Sequence, residues 1–197
     1  MKTEQSIRWG WVGRIVFYNH PVLPLAIWGS LAAWLIVSGV QGPGLDVLSL
    51  AAHAMAALLG WTLFEYLLHR FVLHPPAPDG RWACFSRAIH GKHHDDPDNL
   101  SATFVLPLGA LLILLPLVCI FWFLMKPDML PVFTGFFLAG YLAYEYVHLA
   151  LHHWRMPTRW ARALQRRHLA HHHGDDRTWF GVTSPFWDWI FRTRGIR

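Results

Sequence analysis

The chain has 197 residues, 54% hydrophobic and 15% charged, with a formal net charge of +5. The length suits one domain, and two cysteines, Cys84 and Cys119, are too few for a disulfide framework, so a reduced compartment is expected where Cys84 lies. The basic residues border long apolar runs, so the positive charge calls for no nucleic-acid partner.

In chain order, residues 1–20 read as a cytoplasmic or interfacial segment carrying Lys2, Arg8, Arg14, Trp9 and Trp11. The first apolar run, Pro21 to Val40, holds no charge. It is too long for a signal-peptide core and starts behind a polar, aromatic lead. Three more runs follow: Val47 to His69, Phe104 to Met125 and Leu130 to His152. At about 1.5 Å per residue each crosses a hydrocarbon core roughly 30 Å thick. The pattern predicts an all-α integral membrane protein, with four transmembrane helices in a membrane domain over 21–197.

Residues 70–103 and 153–197 form the polar remainder of that domain. Arg70, Arg81, Arg87 and Lys92 follow the second run, and nine arginines, Arg155 through Arg197, follow the fourth, whereas the two opposite loops hold Lys126 as their one basic residue. The positive-inside rule therefore puts both termini and the middle loop in the cytoplasm. Trp82, Trp154, Trp160, Trp179, Trp187 and Trp189 fall on that same side, where indole rings prefer the headgroup level. The closing SPFWDWIFRTR mixes large apolar residues with arginine, as an interfacial segment does.

Of fourteen histidines, His20 and His53 stand alone, as a boundary residue and a span residue. The other twelve gather at the cytoplasmic ends of the second and fourth runs and in the segments behind them. EYLLHRFVLHPP supplies His69 and His74, and HGKHH supplies His90, His93 and His94. YEYVHLALHH supplies His148, His152 and His153, and HLAHHH supplies His168, His171, His172 and His173. At about 100° per residue, positions three and four apart share a helix face, so each H-x-x-H-H trio is expected to point one way. His69 and His74 diverge on a straight helix, and a helix end at Pro75-Pro76 is expected to swing His74 back. The order of boxes repeats in the two halves. A rough two-fold would gather ten imidazoles at one membrane face, too many for one metal ion and suited to two, at about five each with open positions. The segments 70–103 and 153–197 are thus a histidine-rich dimetal cap. Glu65 lies four before His69 and Glu145 three before His148. Each shares its histidine's face, where a carboxylate is expected to accept the second ring N–H and fix the tautomer, the alternative being a pairing with Arg70 or another interfacial arginine. Asp175 and Asp176 read as loop residues.

These boxes resemble the membrane fatty acid hydroxylase superfamily, which also includes sterol desaturases and carotenoid hydroxylases. The resemblance runs from about Gly60 to Thr193, and EYLLHRFVLHPP, HGKHH, GYLAYEYVHLALHH and FGVTSPFWDWIFRT look most like the fatty acid 2-hydroxylase branch. It implies that His69, His74, His90, His93, His94, His148, His152, His168, His171 and His172 bind the metals, with His153 and His173 outside the shared boxes. It further implies two iron ions, with zinc as a possible substitute, and O2 with an external electron donor. The implied reaction inserts one oxygen atom into a lipid acyl chain, at C2 in this branch. Trp179, Phe180, Phe186 and Trp187 line the approach or anchor the membrane surface.

Two departures stand out. The His-Pro-Gly-Gly signature of the cytochrome b5 domain often fused to this branch is absent from these residues. The expected donor is therefore a separate cytochrome b5, ferredoxin or reductase. After the second box the branch has Pro-x-Asp and then Arg-Leu-Val. Here HHDDPDNLSATFVLPLG keeps Pro97, shifts Asp98 by one and has Ala102 at the arginine, which leaves the acyl acceptor open. A carotenoid hydroxylase and a sterol-type oxidase share the histidine logic. A metal transporter or sensor would need ionisable residues along the spans, where only His53, Glu65 and Glu145 occur. A bacterial inner membrane is the expected location, with the endoplasmic reticulum membrane as the alternative.

Overall fold

The computed structural model describes residues 20–42, 46–76 and 81–195. Lys2, Arg8, Arg14, Trp9, Trp11 and Arg197 lie outside them, as do the side chains of Arg81 and Trp82. The regular elements among the described residues are all helices: α1 (Val22–Gln41), α2 (Val47–Leu73), α3 (residues 81–95), α4 (Leu100–Thr103), α5 (Pro107–Leu124), α6 (Leu130–His153), α7 (Arg159–His173) and α8 (Phe186–Ile190). Local chemistry sets several starts. The Asp46 carboxylate accepts from Ser49 N–H at 2.7 Å to cap α2, Thr158 Oγ1 accepts from Ala161 N–H at 3.1 Å to cap α7, and Pro107 opens α5.

Among the described residues, three helical stretches are long and apolar enough to cross a membrane: Val22–Gln41, Val47–Leu73 and Leu100–Leu124. Their outward residues, such as Trp34, Met55, Leu59, Trp122 and Phe123, are exposed, which suits lipid rather than water. The chain is a membrane protein. The fourth expected span, α6, has 24 residues but is not among the three. The physical reason is its place at the centre of the bundle. It packs against both α1 and α2, and its inward positions carry Thr134, Tyr141, Tyr144, Glu145 and His148, all buried. A helix wrapped by protein needs no uniformly apolar surface.

Close packing around α6 depends on Gly140. A Cβ there would come within 2.7 Å of Trp61, whose indole meets Phe137, Tyr141 and Tyr144 at centroid separations of 5.2, 5.5 and 6.0 Å. Trp61 thereby fixes the rotation of α2 against α6. Both helices run toward the same end of the molecule, so that His69 and His148 emerge side by side.

Candidate metal centre

The end of α2 departs from regular helix. Leu68–Leu73 form a π turn, closed by a hydrogen bond from His74 N–H to the His69 carbonyl at 3.0 Å. Bonding from i to i+5 brings residues five apart to one side. The convergence of His69 and His74 therefore comes from the π turn, where a swing at Pro75-Pro76 was expected. A second π turn, Arg87–Gly91, sets the approach of the next box.

The ten box histidines fall into two groups of five. His69, His74, His90, His94 and His171 form one; His93, His148, His152, His168 and His172 form the other. Within each group the five nitrogens lie within 4.8 Å of one another. The trios do not act as units, as their spacing had suggested. Positions four apart stay together (His90 with His94, His168 with His172), while the middle histidine of each trio crosses to the other group. His93 meets His148, His152 and His172 at centroid separations of 4.4, 4.7 and 4.6 Å. His171 meets His69 and His74 at 4.6 Å each. On a helix, positions three and four along from one residue point about 100° apart, enough to reach two neighbouring pockets. The groups touch where the His94 and His172 rings stack at 4.1 Å and 16°.

The donor set fits metal ions. Nitrogens about 2.1 Å from one ion stand about 3 Å apart at right angles and about 4.2 Å apart when opposed. His74 Nε2 lies 3.1 Å from both His94 Nε2 and His171 Nε2, and His69 Nε2 lies 3.2 Å from His90 Nε2. In the second group, both ring nitrogens of His93, His148 and His172 are buried with no hydrogen-bond partner among the described residues. Buried orphan nitrogens are costly, and a shared cation satisfies them. An all-imidazole set suits iron and zinc alike.

Two tautomers are fixed by one loop. His69 Nδ1–H donates to the Phe180 carbonyl at 2.6 Å, and His171 Nδ1–H donates to the Thr178 carbonyl at 2.7 Å, leaving each Nε2 lone pair facing the first group. Between those carbonyls Trp179 sits at φ 58°, a left-handed turn that costs a non-glycine residue about 1–2 kcal/mol. Two buried carboxylates hold the strained loop. Glu65 accepts from Val182 N–H, Thr183 N–H and Thr183 Oγ1–H at 2.7, 2.8 and 2.6 Å. Asp188 accepts from Phe180 N–H and Gly181 N–H at 2.9 Å each and from Thr193 Oγ1–H at 2.8 Å. Burial raises the Asp188 pKa, and these hydrogen bonds oppose the rise. A Cβ at Gly181 would strike the Ser184 carbonyl and stand 2.9 Å from Asp188 Oδ2, so no side chain fits there.

Glu65 was expected to accept from a histidine ring. It instead grips the backbone that carries His69's partner, one bond further out. Glu145, fully buried, accepts from Val105 N–H at 3.2 Å and ties α6 to the start of α5. Asp188 went unnoticed in the sequence. Its signal was an acid between Trp187 and Trp189 in an otherwise apolar stretch. Asp176 does more than fill a loop: its carboxylate stands 3.7 Å from His74 Nδ1. Phe180 is buried against His69, His74 and His171, whereas Phe186 is exposed and Trp187 donates to Thr62 Oγ1 at 3.1 Å. His153 and His173 stay outside both groups.

Burial first, then neighbouring imidazoles, pushes His74 and His94 down to about 3 and His93 to about 2. These rings are neutral at pH 7, the form that binds metal. Their folded values lie below the ordinary 6.5, so an unfolded chain takes up protons that the folded site refuses. Metal-stripped protein is expected to hold its stability above about pH 6.5 and to lose it progressively as pH falls toward about 3. Thermal midpoints in detergent across that range check this, and a flat profile would refute it.

Residues 54–193 match the fatty acid hydroxylase family. The chain belongs to that family. Membership makes it an oxidoreductase of the hydroxylase type. It is 32% identical over 195 residues to dihydroceramide fatty acyl 2-hydroxylase FAH1 of Arabidopsis thaliana, covering 96% of this chain and 78% of that one. It is 38% identical over 146 residues to ceramide very long chain fatty acid hydroxylase scs7 of Schizosaccharomyces pombe, covering 70% of this chain and 41% of the relative. Fatty acid 2-hydroxylase of Homo sapiens is 31% identical over 142 residues, covering 68% of this chain and 37% of that one. The solved structure of full-length scs7p, with only its hydroxylase domain visible, has the same fold. The TM-score is 0.87 at 24% identity, covering 95% of this chain and 70% of that one.

Proposed function

We propose that this hydroxylase of the fatty acid hydroxylase family inserts one oxygen atom from O2 at C2 of a lipid acyl chain, using two iron ions held by the ten grouped histidines. The observation that carries the reading is the pair of five-nitrogen groups at one end of the bundle, joined to the 2-hydroxylase names of relatives that match nearly the whole chain. Iron would supply the O2 activation that no side chain here provides. His69, His74, His90, His94 and His171 would hold one ion, and His93, His148, His152, His168 and His172 the other. Glu65, Asp188 and Glu145 support the segments that carry these rings. Zinc in the same nitrogens would give an inactive protein.

The domain proposal is a segment 1–20 followed by a membrane hydroxylase domain 21–197. α6 joins the three apolar helical stretches as a fourth span, with both termini and the histidine cap in the cytoplasm. Basic residues flanking the cap, Arg70, Arg87, Lys92 and Arg155 among them, support that orientation. Electrons come from a separate cytochrome b5, ferredoxin or reductase. The membrane is a bacterial inner membrane, with the endoplasmic reticulum membrane as the alternative.

Lipid mass spectrometry on cells expressing the wild-type chain or His148→Ala tests the reaction. Acyl chains bearing one new oxygen at C2, absent from the variant, are the expected result. Oxygen on carotenoids or sterols instead would overturn the acyl assignment.

A further inference from the structure

Below the histidines the apolar interior is not uniformly filled. A small chamber of about 20 Å³ lies directly under the cap, walled by Leu68, Leu73, Trp61 and Tyr144 among others. Leu68 and Leu73 flank His69 and His74 in the chain. Tyr144 stacks against His148 at a centroid separation of 5.6 Å and 21°. Deeper in the bundle a second space of about 370 Å³ opens sideways between α1, α5 and α6, and its lining includes Leu35, Val118, Trp122 and Leu130. Leu114, 3% exposed, lines both. The groove and the chamber thus share Leu114 as a common wall.

The groove's direction follows from its helices. Tyr144 lies toward the histidine end of α6 and Leu130 at its opposite end, fourteen positions away, or about 21 Å of helix. One leaflet of hydrocarbon is about 15 Å deep, half of a roughly 30 Å core. A path of this length runs past the bilayer middle. Its far end is lined by Trp122, Leu130 and Pro131. An apolar, membrane-level groove that shares the Leu114 wall with the chamber under the histidines, on a path longer than a leaflet, matches a long saturated chain and no polar ligand.

We propose that this groove holds the methyl-end part of the substrate's acyl chain, with Leu114 as the gate to the chamber under the histidines and the Trp122–Leu130 end setting the chain length that fits. The proposal rests on the acyl hydroxylase reading. Leu114 must change rotamer for a chain to pass, because the chamber has room for little more than one water molecule. Leu35 and Val118, on facing helices, are the specificity-determining positions.

The test uses the metal-loaded full chain in phosphatidylcholine vesicles. Two photoreactive fatty acids serve as probes, one with a diazirine at the terminal carbon and one with it beside the carboxyl. The terminal probe is expected to label peptides spanning 111–122 and 130–138, and the carboxyl-side probe those around Leu73 and Tyr144. Leu35→Trp and Val118→Trp should each lose most of the terminal labelling. With a mixed-length acyl supply, both should shift hydroxylated products toward shorter chains while metal content stays at the wild-type level. Terminal labelling elsewhere would overturn the proposal, as would an unchanged product-length distribution in both variants. So would equal labelling by a phosphatidylcholine carrying the same terminal diazirine, which would make the groove an ordinary lipid crevice. An absence of labelling would mean that another occupant, such as a second copy of the chain, fills it. Groove labelling in a wild-type protein that oxygenates no acyl probe would leave the groove assignment standing and remove the hydroxylase reading.

Discussion

His90→Ala combined with His93→Ala is expected to strip both metal ions, although the two residues lie three positions apart in one box. The reason is the crossing of the middle histidines. His90 belongs with His69, His74, His94 and His171, while His93 belongs with His148, His152, His168 and His172. Either single variant should hold about one ion per chain. His93→Ala with His148→Ala should also hold one, because both losses fall on the same group. If instead each box served its own half, the His90/His93 pair would keep one ion and the His93/His148 pair none. Elemental analysis of purified protein separates the two patterns without reference to activity. Hydroxylation in any of these variants should fall by more than about 100-fold, the upper range for losing even a group that merely supports a ligand.

Asp188→Ala is expected to be the most damaging change among residues that touch no metal. It would leave Phe180 N–H and Gly181 N–H without their buried acceptor, while the Thr193 hydroxyl keeps the Tyr66 hydroxyl at 3.0 Å. Each such orphan costs about 1–3 kcal/mol, so a loss of at least about 2 kcal/mol is expected. The loop would then release the left-handed turn at Trp179, and the Phe180 and Thr178 carbonyls would lose their aim at His69 and His171. Those two rings serve only the first group. Affinity there should drop by about 10–100-fold while the second group keeps its ion. Metal retention against a graded chelator, read beside thermal stability, checks this. Parallel release from both groups would show that Asp188 only stabilises the fold and does not position the first site.

Three of the four expected spans and the histidine boxes were legible because both signals are local. Apolar length marks a helix that meets lipid, and an imidazole pair four apart marks a face. α6 broke the first rule because its neighbours are helices, so Glu145 and His148 sit where lipid-facing residues would otherwise be required. The partition of the ten histidines was not legible. It depends on how α3 and α7 lie between α2 and α6, and the sequence holds no trace of that angle. The π turn at Leu68–Leu73 was hidden for a related reason, since its residues are ordinary helix formers and the extra residue shows only in the bonding. Asp188 and Glu65 do their work on backbone N–H groups, which have no side-chain signature to pair with. Spacing arguments find side chains that meet side chains, and they miss acids that hold a loop.

The crossing of His93 and His171 makes each ion a tie between distant parts of the chain. One bound in the first group would close the loop from His69 to His171, and one in the second the loop from His93 to His172. The two loops overlap almost entirely. A covalent link closing a loop of about 100 residues restricts an unfolded chain by about 4–5 kcal/mol on the chain-entropy view. With Cys84 and Cys119 both unpaired, such ties are the cross-links this protein has to hand. Metal loading would then be a late step of assembly, open only once α7 has come back across the bundle, and it would staple the first histidine box to the last.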